Sequence, residues 1–91
     1  MKISVLGCGR WGSFIAWYQS AVLGNDVISW GPEGDYSYEV LKNTGRNEYV
    51  ELDGRIKLTC DLEYALRESD IIIISISSQG LRGFMQRIIK Y

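Results

Sequence analysis

The sequence predicts an α/β fold, a doubly wound parallel sheet of about four strands with helices between the strands. Short β-branched segments alternate with segments of helical periodicity along the chain. A glycine-rich turn also directly follows the first predicted strand and begins the first predicted helix. Strands and helices that alternate at this spacing form parallel strands joined by right-handed crossovers. We find no internal repeat and no linker, and we expect residues 1–91 to form a single domain.

The first predicted unit is a strand, a helix and a second strand. Residues 2–6 alternate apolar and polar side chains and predict the first strand. Residues 11–23 carry apolar side chains at spacings of three and four, which predicts a helix. Gly24 and Asn25 end that helix because both tolerate a left-handed backbone, and residues 26–30 predict the second strand. We expect the helix to pack against the sheet through Phe14, Ile15, Trp17, Tyr18, Ala21 and Val22.

The middle of the chain is its least regular part. Residues 33–55 are rich in glycine and polar side chains, and we expect only a short helix there, over residues 38–42. Residues 55–59 alternate again and predict the third strand. Asp61 is the predicted N-cap of the helix that follows this strand, with Glu63 in its first turn.

The fourth predicted strand covers residues 71–76, and its nearly continuous isoleucines predict burial on both faces. Ser77 and Ser78 lead into a last amphipathic helix that continues to Tyr91. In the usual strand order 3-2-1-4, the fourth strand lies at an edge of the sheet unless a fifth strand follows. An apolar edge without lysine, proline or a bulge tends to pair with another chain. We therefore expect a homodimer through this edge, or another cover for it.

Composition and charge exclude several classes of protein. Ten basic and eleven acidic residues give a net charge of −1, so no basic field attracts nucleic acid or a membrane surface. The longest aliphatic run is far shorter than the ~20 residues that a membrane-spanning helix needs. The chain has no histidine, which excludes Ser-His-Asp and Cys-His catalytic groups and the HExxH metalloproteases.

The two cysteines, Cys8 and Cys60, form no CxxC pair and suggest neither a zinc site nor a disulfide framework. In the strand order 3-2-1-4, the ends of the first and third strands are about 9.6 Å apart. A disulfide needs Cα atoms within about 7 Å of each other. We therefore expect two reduced thiols and a cytoplasmic protein.

Residues 7–12, Gly-Cys-Gly-Arg-Trp-Gly, match the pattern G-x-G-x-x-G between a predicted strand and a predicted helix. In such a turn Gly7 permits the tight bend, Gly9 lets the backbone approach a pyrophosphate, and Gly12 lets the helix pack closely on the strand. The amides and the dipole of the helix start then face the phosphates. The alternative is a turn that needs glycine for steric reasons alone. The context favours a Rossmann-type dinucleotide site.

The same fingerprint places an acid about 20 residues further on, at the end of the second strand, to bond the ribose hydroxyls. Glu33 is the candidate and lies slightly late, Asp35 is a weaker substitute, and a solvated loop carboxylate is the alternative. No Arg or Lys occurs between residues 31 and 39 to receive a 2′-phosphate, which favours NAD over NADP. Arg10 favours the opposite because a guanidinium at the helix start binds phosphate, unless it simply faces solvent.

Two further groups of side chains are candidates for the site. Trp11 either shields the cofactor cleft or packs over the first helical turn. Ser75, Ser77 and Ser78 follow the fourth strand, beside the point where the strand order reverses and where ligands bind in such sheets. They either contact the nicotinamide half of the cofactor or, in the case of Ser78, cap the last helix.

Five segments carry a family resemblance: residues 7–13, the strand end at residues 27–31, and residues 47–49, 59–66 and 78–82. Together they resemble the N-terminal domain of NAD(P)-dependent glycerol-3-phosphate dehydrogenase, over nearly the whole chain. The resemblance implies reversible hydride transfer between NAD or NADP and glycerol 3-phosphate or dihydroxyacetone phosphate, a reaction of phospholipid synthesis. It also implies cofactor contacts at Arg10, Trp11, Pro32, Glu33 and Tyr49.

The resemblance places the family's catalytic and substrate-phosphate residues, including its lysines, beyond Tyr91. We therefore expect a cofactor domain that is incomplete at its C-terminus, contains no catalytic residue and is inactive alone. One alternative is a stand-alone nicotinamide-nucleotide-binding module without catalysis. Another is the cofactor domain of a 6-phosphogluconate or ketopantoate type of dehydrogenase, which Trp30-Gly31 and Ser78-Gln79 disfavour.

Overall fold

The computed structural model describes residues 1–48, 50–52, 54–76, 83–86 and 89. Four strands and three helices alternate along the described part of the chain, and residues 83–86 are helical as well. The strands are β1 (Lys2–Leu6), β2 (Asp26–Trp30), β3 (Lys57–Thr59) and β4 (Ile71–Ile74). The helices are α1 (Arg10–Trp17), which continues as a π-helical turn over Tyr18–Val22, α2 (Tyr36–Thr44) and α3 (Leu62–Arg67). The predicted α/β class is confirmed.

The four strands form one parallel sheet in the order β3-β2-β1-β4, as predicted. Leu6 at the end of β1 pairs with Trp30 of β2 on one side and with Ile74 of β4 on the other. Trp30 pairs in turn with Thr59 of β3. All four strands therefore end at the same edge of the sheet, and the glycine turn leaves β1 at its centre.

Alternate side chains of the strands feed two separate apolar layers. On one face, Ile3 and Val5 pack with Ala16 of α1. On the other face, Leu6 and Trp30 pack with α3 and with Phe84, whose ring centroid lies 5.4 Å from that of Trp30. Helices on both faces of a parallel sheet define the doubly wound architecture.

The predicted buried face of α1 is confirmed at Ile15, which packs against the apolar layer beneath the helix, and is wrong for the exposed residues of that set. Phe14, Tyr18 and Val22 are 42%, 41% and 52% exposed, whereas the side of the helix that faces the sheet consists of small residues. Those residues are Gly12, Ser13, Ala16 and, in the π-helical turn, Ser20. Small side chains let the helix axis approach the sheet closely, so the large aromatic side chains are displaced to the outer surface.

The predicted burial of the fourth strand on both faces is also wrong. Ile71 and Ile72 are 43% and 40% exposed, because β4 lies at the edge of the described sheet. The strand is also shorter than predicted and ends at Ile74. An apolar run therefore indicated a strand correctly, while its position in the sheet determined how much of it is buried.

The first turns of α2 and α3 are both capped by aspartate. The side chain of Asp35 accepts a hydrogen bond from the Tyr38 amide at 3.1 Å, so α2 begins earlier than predicted. Asp61 accepts from the Tyr64 amide at the same distance, which confirms the predicted cap of α3. Gly45, in the left-handed conformation, ends α2.

The third strand is shorter than predicted. Residues 57–59 pair with β2, whereas Arg55 and Ile56 precede the strand. Arg55 donates a hydrogen bond to the Ser20 carbonyl oxygen at 3.1 Å, and Ile56 is buried in the layer beneath α1. These contacts draw the two residues out of the ladder. Within the described residues, no helix is long and apolar enough to cross a membrane.

Candidate functional site

Two glycines of the turn between β1 and α1 are required by the packing of the protein itself. Gly7 has a φ of +128°, which side chains rarely adopt, and a Cβ there would overlap the carbonyl oxygen of Ser75. A Cβ on Gly12 would overlap the carbonyl oxygen of Gly7. Backbone atoms of the glycine turn therefore contact the first turn of α1 on one side and Ser75, the residue after β4, on the other.

Gly9 is different. Its backbone is extended, with φ of −74°, and a Cβ at this position would meet no atom of the described structure within 4 Å. Packing within the chain therefore does not require a glycine here. The open space in front of Gly9 is where a ligand can approach the backbone more closely than any side chain would allow.

The start of α1 is electrostatically suited to an anion. Gly9 occupies the N-cap position without a side-chain hydrogen bond, and the first turn contains no acidic residue. In contrast, α2 and α3 each have an aspartate cap and a glutamate in the first turn. The first amides of a helix have no partner within that helix. The positive end of the α1 dipole is thus not offset by an acid of its own first turn.

Two clefts meet at Gly9 and Arg10. The larger, of about 460 Å³, extends from the glycine turn to the first turn of α2. Its lining consists of Cys8, Gly9, Arg10, Tyr36, Ser37, Val40, Asn47 and Glu48. The smaller, of about 250 Å³, extends toward the end of β4 and is lined by Gly9, Arg10, Trp11, Ser75 and Ile76. An elongated ligand that crosses the helix start would therefore contact both.

Asn47 holds the loop after α2 against the glycine turn. Its side-chain amide donates a hydrogen bond to the Ser13 hydroxyl at 2.9 Å, and that hydroxyl donates to the Gly9 carbonyl oxygen at 2.7 Å. The side-chain oxygen of Asn47 accepts from the Val50 amide, also at 2.9 Å. Glu48 therefore follows a residue that is anchored to α1, and it forms part of the cleft wall.

The structure brings together most of the residues predicted for the site. Gly9, Arg10, Trp11 and Ser75 line the clefts, and Gly7 and Gly12 shape the turn behind them. Trp11 is 67% exposed, so it forms an outer wall of the smaller cleft rather than packing into the core. Tyr49, Ser77 and Ser78 lie outside the described residues.

Pro32 and Glu33 lie on an exposed turn after β2, which is closed by a 3.1 Å hydrogen bond from the Asp35 amide to the Pro32 carbonyl oxygen. Neither residue lines either cleft. Asp35, the weaker candidate for the ribose acid, directs its carboxylate to the cap of α2 instead.

Sequence reasoning missed five residues of the larger cleft, namely Tyr36, Ser37, Val40, Asn47 and Glu48. The signal for Tyr36 and Ser37 was present in Asp35, because an aspartate cap places the next two residues in the first helical turn. Glu48 belongs to a segment that carries the family resemblance, residues 47–49, but in this segment the resemblance implied a cofactor contact only at Tyr49. The place of Glu48 depends on the long-range hydrogen bond of its neighbour Asn47.

Cys8 serves the structure of the site rather than its chemistry. The side chain is buried, and burial is the main reason why the pKa of its thiol lies above the ordinary value. Its Sγ lies 3.5 Å from the Ser29 hydroxyl and 3.4 Å from the Trp30 carbonyl oxygen, to which it donates. Cys8 and the exposed Cys60 are both free, as predicted. A protonated, buried thiol is a poor nucleophile.

Comparisons with known proteins identify the family of this chain. A model of the family described as NAD-dependent glycerol-3-phosphate dehydrogenase N-terminus matches residues 2–91. The chain is 31% identical over 90 residues to glycerol-3-phosphate dehydrogenase [NAD(P)+] of Thermoanaerobacter sp. (strain X514), and covers 97% of itself and 27% of that protein. It is 28% identical over 94 residues to the enzyme of the same name from Carboxydothermus hydrogenoformans. That match covers 100% of this chain and 28% of the relative.

A solved structure has the same fold. The crystal structure of glycerol-3-phosphate dehydrogenase from Coxiella burnetii superimposes with a TM-score of 0.82 at 26% identity, over 96% of this chain and 27% of that one. The chain thus spans about a quarter of the length of the relatives that it matches. On the family match over almost all of its residues, the chain belongs to the NAD-dependent glycerol-3-phosphate dehydrogenase N-terminal family.

Proposed function

We propose that residues 1–91 form a dinucleotide-binding domain that holds NAD(H) or NADP(H) for an oxidoreductase that interconverts glycerol 3-phosphate and dihydroxyacetone phosphate. The observation that carries the proposal is the open space in front of Gly9. The packing of the chain does not require a glycine at this position, so the glycine leaves that space free for a ligand. Glycerol 3-phosphate comes from the names of the relatives, of which this chain spans about a quarter, and dihydroxyacetone phosphate is the ketone that its dehydrogenation gives.

The described residues fit a dinucleotide. The amides at the start of α1 and the Arg10 guanidinium would bind the pyrophosphate, because helix dipole and guanidinium both favour anions. Tyr36 and Ser37 would contact the adenosine half in the larger cleft, and Trp11 and Ser75 the nicotinamide half in the smaller one. The nicotinamide supplies or takes up the hydride when it is bound. Contacts from Pro32, Tyr49 and Ser78 belong to the same proposal, and Glu33 would contact the cofactor only from the rim, because it lies outside the lining of both clefts.

We also propose three finer points. NAD is favoured over NADP because, among its described lining residues, the larger cleft has Arg10 as the only basic one, beside the acidic Glu48. The protein is cytoplasmic, which the two free cysteines support. Two copies pair through β4, since two of its isoleucines are exposed at the edge of the sheet.

A thermal-shift titration tests the binding proposal. NADH is expected to raise the melting temperature of the chain by mass action, and Gly9→Val is expected to abolish that rise because the added side chain fills the space in front of the turn. Gly54→Val is the control. Gly54 also has open space around it, but it precedes the start of β3, whereas the glycine turn follows the end of β1. No shift of the wild-type chain at millimolar NADH or NADPH would contradict the proposal.

One observation favours a second candidate, a module that binds the dinucleotide without chemistry. Among its described lining residues, the smaller cleft has Arg10 as its only ionisable side chain, and an arginine is always protonated. No described side chain there can exchange a proton with a substrate. We therefore expect no oxidation of NADH when this chain alone is mixed with dihydroxyacetone phosphate. Measurable turnover would exclude the module.

A further inference from the structure

The larger cleft contains a carboxylate in a position that the dinucleotide pattern does not predict. In proteins of this fold, an acid at the end of the second strand binds the adenosine ribose hydroxyls, and its charge disfavours a ribose that carries a 2′-phosphate. Here the acids that follow β2 are not available for that role. Glu33 lies on the exposed turn outside the cleft lining, and the Asp35 carboxylate caps α2.

Glu48 is also exposed, but it lines the same cleft from the loop after α2. It lines the cleft together with Gly9 at the phosphate end and with Tyr36 and Ser37 at the start of α2. An adenosine ribose bound between the glycine turn and α2 would therefore lie within the walls that Glu48 helps to form. Glu48 is the only acidic residue in the described lining, and Arg10 is the only basic one.

Asn47, the residue before Glu48, is held in place by three hydrogen bonds. The backbone amide of Asn47 donates to the Val50 carbonyl oxygen at 3.0 Å. The backbone amide of Val50 donates to the side-chain oxygen of Asn47 at 2.9 Å. The Asn47 side chain also reaches Ser13 of α1. Glu48 thus follows a residue that is hydrogen-bonded both to Val50 and to Ser13 of α1.

We infer that Glu48, and not Glu33, is the carboxylate that binds the adenosine ribose and selects NAD over NADP. This inference rests on the proposed function. A carboxylate accepts hydrogen bonds from both hydroxyls of a ribose diol. The same carboxylate repels the near-dianionic 2′-phosphate of NADP within a cleft of this size. Selectivity would then come from the loop after α2 instead of the loop after β2.

The test is a binding titration of NADH and NADPH with the wild-type chain, Glu48→Gln and Glu33→Gln. The two variants remove the same charge, but only one of the two side chains lines the cleft. We expect the wild-type chain to bind NADH more tightly. Glu48→Gln should weaken NADH about tenfold, since a charge-assisted hydrogen bond is lost, while NADPH binding stays the same or improves. Glu33→Gln should change the preference less than about twofold, the size expected of an exposed surface charge.

A second variant and a ligand analogue keep the inference testable if Glu48→Gln is poorly folded. Glu48→Lys should invert the preference toward NADPH, because an ammonium attracts the 2′-phosphate. NADH whose adenosine ribose lacks both hydroxyls should bind the wild-type chain about tenfold more weakly than NADH does, since both hydrogen bonds to the Glu48 carboxylate are then absent.

The outcomes separate the inference from the proposed function. If Glu33→Gln lowers the preference for NADH and Glu48→Gln does not, the inference is wrong and the binding proposal stands. Equal weakening of NADH and NADPH by Glu48→Gln would likewise reduce Glu48 to a structural role. If the wild-type chain binds neither dinucleotide, both are overturned.

Discussion

At the scale of single residues, the glycines of the β1–α1 turn divide into two kinds by what surrounds them. Gly7 and Gly12 have backbone atoms where a Cβ would be, so their replacement must move the chain. Gly9 has open space there and an ordinary extended backbone. Identical residues in one motif therefore serve different purposes: two maintain the contact of strand and helix, and one leaves space for a ligand.

This difference predicts that alanine mainly destabilises the fold at Gly12 and mainly weakens NADH binding at Gly9. Gly12→Ala is expected to lower the free energy of unfolding by about 2 kcal/mol or more, because the methyl group overlaps the Gly7 carbonyl oxygen. Gly9→Ala should lower it by less than about 1 kcal/mol, the cost of a poorer N-cap, and should mainly weaken NADH binding. Urea denaturation followed by tryptophan fluorescence measures the first effect. Equal destabilisation by the two variants would contradict this reading of the turn.

At the scale of elements, α2 and α3 have similar caps but different relations to the clefts. The first turn of α2 contributes Tyr36 and Ser37 to the larger cleft, whereas no residue of α3 lines either cleft. Asp35 and Asp61 make equivalent hydrogen bonds at the starts of these helices. The two caps therefore form a matched pair in which helix stability and site geometry are separable.

Removing each cap tests that separation. Asp35→Ala and Asp61→Ala should each lower the free energy of unfolding by about 1 kcal/mol, the usual cost of an N-cap aspartate. Only Asp35→Ala should also weaken NADH binding, severalfold, since the ligand must then order the first turn of α2. Thermal melts and isothermal titration of the same samples provide both numbers. A similar loss of affinity in Asp61→Ala would indicate a global effect instead.

At the scale of the whole molecule, the two edges of the described sheet differ in how they are protected. The edge strand β3 has only three residues and begins with the exposed Lys57, and both features discourage pairing with another chain. The edge strand β4 has four isoleucines, of which Ile71 and Ile72 are substantially exposed. Association of two chains through β4 would extend the sheet and cover these side chains.

The proposed homodimer is tested by light scattering after size exclusion. We expect twice the monomer mass for the wild-type chain and a shift toward the monomer for Ile72→Lys, because a lysine on an edge strand opposes pairing. Val22→Lys is the control, because Val22 is 52% exposed and lies outside the sheet, and it should leave the mass unchanged. A stable wild-type monomer in dilute solution, with β4 amides protected from hydrogen exchange, would contradict the proposal.

Agreement between sequence and structure follows the range of the interactions involved. Strand β1, strand β2, the end of the first helix at Gly24 and the cap at Asp61 were predictable, because local periodicity and single residues define them. The strand order was predictable because the glycine motif and the alternation of elements restrict the topology. Of the site, the turn, Arg10 and Trp11 came from motif spacing and Ser75 from its position after the fourth strand, and all of them lie at the clefts.

The sequence by itself determined that this chain has a parallel α/β sheet with a glycine turn at the start of its first helix, because those features depend on neighbouring residues. Only the tertiary structure decided which face of α1 is buried, how exposed β4 is, and which acid lines the larger cleft. Each of these depends on elements distant in sequence, such as the hydrogen bond from Asn47 to Ser13, 34 positions apart. A pattern of residue types does not specify such contacts, because many loop conformations satisfy the same pattern and packing selects one.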